Sequence, residues 1–288
     1  MLVLLAAVLW ALLGVFSHRL LAAGVPAIEI AFWRAALAAP LFIAHAAARR
    51  SLRVATRDLP AFVGFALVGV TLFYASLNIA IDAGGVSLAF VLLYTAPAFV
   101  AVLAASLLGE RLTRAKALLV TVSIVGVALV STAGGVGVTP TPAAVAWGLT
   151  AGLSYASYYL FGKWALRRYR PVTIFAVVMP VGALGLLPLV GFEVIRMSSS
   201  SVWLDVGLMG VLSTYLAYYV YYSGLRTVEA TRAVLVATVE PLLAAALAAL
   251  LFGERLGPSG IVGGVLVLLA ATLASTRRAA RSTGVVVS

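Results

Sequence analysis

The sequence predicts an all-α integral membrane protein with ten transmembrane helices, arranged as two inverted five-helix repeats. Three observations carry this expectation. Apolar residues make up 64% of the 288 positions and charged residues 10%, with a mean hydropathy of +1.14. A soluble domain carries about a quarter charged residues, so this chain cannot cover a globule with polar surface. Ten apolar stretches also approach the about 20 residues that a spanning helix needs. Finally, Ala89–Thr132 recurs as Ala233–Thr276 at a shift of 144, with 14 of 44 positions identical. Pro97 falls on Pro241, and Gly109-Glu110-Arg111-Leu112 falls on Gly253-Glu254-Arg255-Leu256. Five passes per copy is an odd number, so the two copies cross the bilayer in opposite senses. The division falls between 1–137 and 138–288.

The first expected span, Leu2–Ser17, lacks the basic start of a cleaved signal peptide and is expected to stay. It carries Trp10, matched at a shift of 137 by Trp147 in the sixth span, Pro142–Trp164. Each tryptophan suits either a cavity gate or a lipid-facing anchor. The second span, Ala27–His45, holds Arg34 with Glu29 five residues earlier. Arg34 can fork onto a substrate carboxylate, or snorkel and satisfy helix-end carbonyls. In the third span, Leu59–Ile81, Tyr74 and Asn78 share one face at i, i+4, and the fourth, Val86–Leu108, adds Tyr94. The fifth is Thr113–Thr132. Tyr155, Tyr158 and Tyr159 lie in the sixth, and the seventh is Val172–Val190. In the eighth, Val202–Ser223, Tyr215, Tyr218 and Tyr222 recur on one face, with Tyr221 and Tyr222 near the end where interfacial tyrosine belts form. Tyr74, Asn78, Tyr94, Tyr158 and Tyr218 lie deeper and are expected to line a polar cavity.

The ninth span, Thr231–Leu251, carries Glu240 near its middle, followed by Pro241. A proline inside a helix removes one backbone hydrogen bond, so Pro97 and Pro241 are expected hinge or helix-break positions. Intramembrane charge is costly, which makes Glu240 a candidate for a substrate amine or a transported proton. A structural ion pair with Arg34, or a protonated buried acid, is the alternative. Pro258–Ser275 completes the ten. Gly148 with Gly152, and Gly260 with Gly264, are small pairs that let helices approach closely.

Sixteen of the 20 Lys and Arg residues fall in the even-numbered connections and the tail after the last span. That asymmetry puts these connections and both termini in the cytoplasm. It also explains the net charge of +11 without nucleic acid, for which there is no reader module. With no cysteine and two isolated histidines, His18 and His45, no metal site is expected. No phosphate-cradling Gly-Lys-Ser/Thr loop is present, and Gly134, Gly135 and Gly137 are too short a cluster for a dinucleotide fingerprint, so no cofactor or ATP engine is expected.

With its ten spans, a proline in spans four and nine and Gly-Glu-Arg-Leu closing each, the chain resembles the drug/metabolite transporter superfamily in its EamA-type branch. The resemblance implies a bacterial-type inner-membrane secondary transporter of small metabolites, often an exporter, with amino acids among the substrates of the family. It leaves the substrate and the oligomeric state open. A membrane-embedded enzyme acting on a lipid-linked intermediate, or a non-transporting membrane subunit, are the alternatives. The sequence offers no cluster of acids or histidine at headgroup level for the former.

Overall fold

The computed structural model describes residues 1–132, 141–191, 199–252 and 257–276. The boundary expected near residue 137, the glycines at 134, 135 and 137, the second Gly-Glu-Arg-Leu at 253–256, Arg196 and the basic tail lie outside the described residues. All regular structure among the described residues is helical. In chain order the helices are α1 (Leu2–Ala22), α2 (Ala27–Ala48), α3 (Leu59–Phe65), α4 (Phe73–Gly84), α5 (Val86–Leu93), α6 (Ala96–Leu107) and α7 (Arg114–Thr132). They continue as α8 (Pro142–Ala165), α9 (Pro171–Leu186), α10 (Ser200–Leu208), α11 (Ala217–Leu225), α12 (Ala230–Ala237), α13 (Glu240–Phe252) and α14 (Pro258–Thr276).

Seven helical segments among the described residues are long and apolar enough to cross a membrane: Leu2–Ala22, Ala27–Ala48, Thr56–Gly84, Leu88–Leu107, Pro171–Leu189, Ser200–Leu225 and Ala230–Leu251. Helices α7 and α8 have the length, at 19 and 24 residues. Ser154, Ser157 and the three tyrosines of α8 lower its hydropathy. Pro258–Ala274 is a shorter apolar helix. Leucines and valines such as Leu118, Leu184, Leu204, Leu250 and Val102 stand exposed around the bundle, as lipid-facing side chains do. This is a multi-pass membrane protein.

Several segments depart from straight α-helix. Between α3 and α4 the chain runs through a π-helical stretch, Ala66–Leu72, and between α10 and α11 through another, Met209–Leu216. A π turn holds one extra residue and re-aims everything after it. Tyr94 and Thr95 interrupt α5–α6, and Thr238 and Val239 interrupt α12–α13. Each break ends two residues before a proline, which becomes the second residue of the following helix: Pro97 in α6 and Pro241 in α13.

The packing is reciprocal. Helix α1 lies against α11 and its π stretch and against α12 and α13, while α8 lies against α4, α5 and α6. Helix α2 pairs with α9, and α7 with α14. Glycines set the closest approaches. A Cβ on Gly263 would sit 2.5 Å from the Gly126 carbonyl oxygen, and one on Gly126 would sit 2.8 Å from that of Gly263. One on Gly152 would fall 2.9 Å from the Leu92 carbonyl at the first break. The basic connections meet on one face of the bundle. There the Tyr169 phenol donates to Asp58 Oδ2 at 2.6 Å, and Thr173 donates to the Ser51 carbonyl at 2.6 Å. That carboxylate holds the Tyr169 hydroxyl above its usual range. On the opposite face Arg19 pairs with Asp205 at 3.1 Å.

Candidate functional site

Arg34 belongs to the inward stripe of α2, with Ile30, Ala31, Ala35 and Ala38, and is 6% exposed. A guanidinium facing lipid would cost several kcal/mol, about 3 at mid-membrane, so the stripe turns it inward. Its Nε donates to Thr214 Oγ1 at 3.2 Å, and its Cζ lies 5.0 Å from the centre of the Tyr74 ring. Thr214 is itself fixed, donating to the Met209 carbonyl at 3.3 Å inside the second π stretch. One nitrogen of the guanidinium is therefore anchored and its face is stacked. The terminal amines make no hydrogen bond to the described residues, and Arg34 lines an internal cavity.

That cavity, about 90 Å³, is bounded by Trp10, Arg34, Phe73, Tyr74, Leu77, Phe90, Tyr94, Tyr155, Tyr218 and Glu240, with Leu13 and Leu93. Glu240 is the first residue of α13, just past the Thr238–Val239 break. A carboxylate there meets the positive end of the helix. Tyr94, on the opposing break, and Arg34 are its electrostatic neighbours, yet no ion pair within 4 Å joins Arg34 to Glu240. The cavity thus presents a cation and an anion separately. Phenols and hydrocarbon fill the rest, with Trp10 packed edge-on against Tyr218 at 5.4 Å.

The two ends of the cavity differ. Toward the basic face, Tyr158 stacks on Tyr218 at 5.3 Å, Phe175 wedges between Tyr218 and Tyr222 at 5.0 and 4.5 Å, and Tyr221 closes on Trp10 at 5.0 Å. Tyr222 Oη donates to the Tyr158 carbonyl at 2.9 Å. Toward the other face, an adjoining cavity of about 310 Å³ runs from Glu240 and Tyr94 past Gly14 to Ser17, Val130 and Ala245. The site is plugged on one side and connected on the other.

A family model described as the EamA-like transporter family matches residues 1–132 and 142–276. The chain belongs to that family, and it is a transporter rather than an enzyme. An uncharacterized transporter of Archaeoglobus fulgidus is 30% identical over 212 residues, covering 72% of this chain and 75% of that protein. A probable terminal-alkyne amino-acid exporter of Streptantibioticus cattleyicolor is 28% identical over 237 residues, covering 80% of this chain and 77% of its own length. A solved crystal structure aligns with a TM-score of 0.83 over 97% of this chain and 96% of that one, at 19% identity, which speaks to fold alone.

In this EamA-like transporter the cavity brings together Trp10, Arg34, Tyr74, Tyr94, Tyr218 and Glu240. The other residues expected there lie elsewhere. Trp147 is 37% exposed on the outside of α8, because a helix apolar on both faces gives an aromatic no preferred side. Asn78 bends back to donate to the Tyr74 carbonyl at 2.8 Å and stays off the cavity wall. Tyr158 lies beneath the cavity in the plug, 2% exposed, rather than on the wall. Tyr221 and Tyr222, expected in an interfacial belt, are buried in the same plug, because the second π stretch shifts their face inward. Tyr155, Phe90 and Phe73 are wall residues that polarity and span position did not mark.

Proposed function

We propose that this EamA-like transporter is a secondary exporter of small zwitterionic metabolites, amino acids foremost, working by alternating access through the Arg34–Glu240 cavity. One observation carries the reading: a guanidinium tethered at one nitrogen and a carboxylate that forms no ion pair with it line the same cavity at the junction of two broken helices. Arg34 binds the solute carboxylate through its free amines. Glu240 binds the ammonium, or takes up a proton once the solute leaves. Trp10, Tyr74, Tyr94 and Tyr218 enclose the remainder. The name of the Streptantibioticus relative favours the same substrate class.

The ten-span, two-copy reading is supported by reciprocal packing and by the spacing of irregularities. The breaks at Tyr94–Thr95 and Thr238–Val239 differ by 144 residues, as do Tyr74 and Tyr218. The family match also falls in two blocks of similar length. In this reading the basic face is cytoplasmic in a bacterial-type plasma membrane, both termini lie there, and the plugged state is outward-facing. Two half-bundles of opposite sense can exchange packings, which moves the opening across the membrane.

Counterflow of radiolabelled amino acids into proteoliposomes tests the proposal. Expected is exchange of at least one neutral amino acid, with no exchange of the matching amine or carboxylic acid lacking the second charge. Arg34→Ala should cut exchange roughly 100-fold, the scale of a lost charge-assisted pair. Glu240→Gln should abolish exchange or remove its pH dependence. A Glu240→Gln protein with unchanged flux and unchanged pH profile removes that residue from the mechanism.

A further inference from the structure

We propose that Glu110 is a positioning residue that holds the cytoplasmic exit shut, by clamping the start of α12 from the far side of the exit. The inference rests on the alternating-access reading above but on a different set of contacts. Helix α12 begins without a side-chain cap of its own, since Glu229 at its N-cap position makes no capping bond. Glu110 supplies the cap from the connection after α6. Its Oε1 accepts from the Ala230 N–H at 2.7 Å. Its Oε2 accepts from the Thr231 hydroxyl at 2.8 Å and the Thr231 N–H at 3.4 Å. The four orphan N–H groups of a helix start, and the positive end of its dipole, make such a carboxylate contact strong.

The approach is prepared by the residue before it. Gly109 takes φ +69, the left-handed region that a side chain resists, and the Glu110 N–H reaches back to the Ala104 carbonyl at 3.1 Å. This gives a physical use to the Gly-Glu pair of the repeated tetrad. Lys116 then bridges the two carboxylates, 3.8 Å from Glu110 and 3.2 Å from Glu229, and Arg232 Nε lies 3.1 Å from Glu229.

The clamp sits where an exit must form. Helix α12 is eight residues long and ends at the Thr238–Val239 break, directly after which Glu240 opens α13, so a shift of the α12 start is passed to that break. On its far side lies a vestibule of about 380 Å³ on the basic face, lined by Glu110, Glu229, Lys163, Arg167 and Arg226. Opening a path from vestibule to cavity requires the α12 start to leave the α6–α7 connection, which breaks three hydrogen bonds to one side chain.

The chain has no cysteine, so single introduced cysteines report accessibility cleanly. Val234→Cys, on the buried face of α12, and Ser17→Cys, in the outward cavity, are labelled with a membrane-impermeant maleimide from each side of oriented vesicles, without solute. Glu110→Gln is expected to raise cytoplasmic-side labelling at 234 roughly ten-fold and to lower outer labelling at 17, the scale of one lost charge-assisted bond. Thr231→Val, which removes only the hydroxyl contact, should move both rates the same way by less and guards against misfolding of the first variant. Unchanged rates at both probes in the two folded variants overturn the clamp, even where amino-acid exchange is intact. A shift in labelling in a protein that exchanges no amino acid keeps the clamp and sinks the substrate reading instead.

Discussion

At the scale of single residues, Arg34, held at Nε by Thr214 and stacked on Tyr74, and Glu240 at the start of α13 give the cavity its two charges. Arg34 and Glu240 stand out because an ionised group inside an apolar run needs a reason. Tyr94, Tyr74 and Tyr218 stand out as phenols deep in their spans. Trp147 shows the limit of that logic, since size without polarity leaves lipid and cavity equally acceptable. Thr214 was silent, because hydroxyls satisfy themselves on nearby carbonyls in any helix. Its position under Arg34 nonetheless gives it a role. Thr214→Val should leave the fold intact and raise the KM for solute roughly ten-fold with kcat little changed, because the guanidinium loses its tether rather than its charge. Initial-rate uptake across a solute series measures the split.

At the scale of elements, hydropathy points to an all-helical membrane protein, and seven helical segments among the described residues are long and apolar enough to cross; the irregularities inside them leave no such signal. Prolines at 97 and 241 point toward discontinuity, and the turns at 94–95 and 238–239 end two residues before them, next to the carbonyls that each proline leaves without a donor. Neither π stretch contains a proline, so nothing in 66–72 or 209–216 departs from ordinary membrane-helix composition. Helix contacts were more readable. Gly152 was marked as a close-approach residue, and it faces the Leu92 carbonyl at the first break. Gly126, whose backbone meets that of Gly263 between α7 and α14, carries no such spacing signal. Gly263→Ala should lower stability by about 1–3 kcal/mol, since its Cβ would meet the α7 backbone at Gly126 and Val130 and force the two helices apart. The midpoint of thermal unfolding in detergent, against Gly207→Ala where a Cβ meets open space, reads this out.

At the scale of the molecule, the proposed two-copy reading pairs each helix with a counterpart of opposite sense, and the reciprocal packing of α1 and α8 supports it. On the basic side the plug of Tyr158, Phe175, Tyr221 and Tyr222 covers the cavity, and in the proposed reading the Glu110 clamp holds that side shut. Orientation is open to direct measurement. Cysteines placed at Arg53 and Arg167 should react from the cytoplasmic side of intact vesicles, and one at Ala23 from the outside. Reaction of the first two from opposite sides contradicts the proposed topology. The wound-in extra residues at 66–72 and 209–216 carry one more consequence. Each is, in genetic terms, an insertion: removing a single codon there would leave a helix still long enough to cross, yet turn all that follows by about 100°. Such a deletion in the later stretch would swing Tyr218 and Tyr222 off the central line together. The lining of the cavity can therefore change by the register of the helix alone, with every wall side chain still encoded.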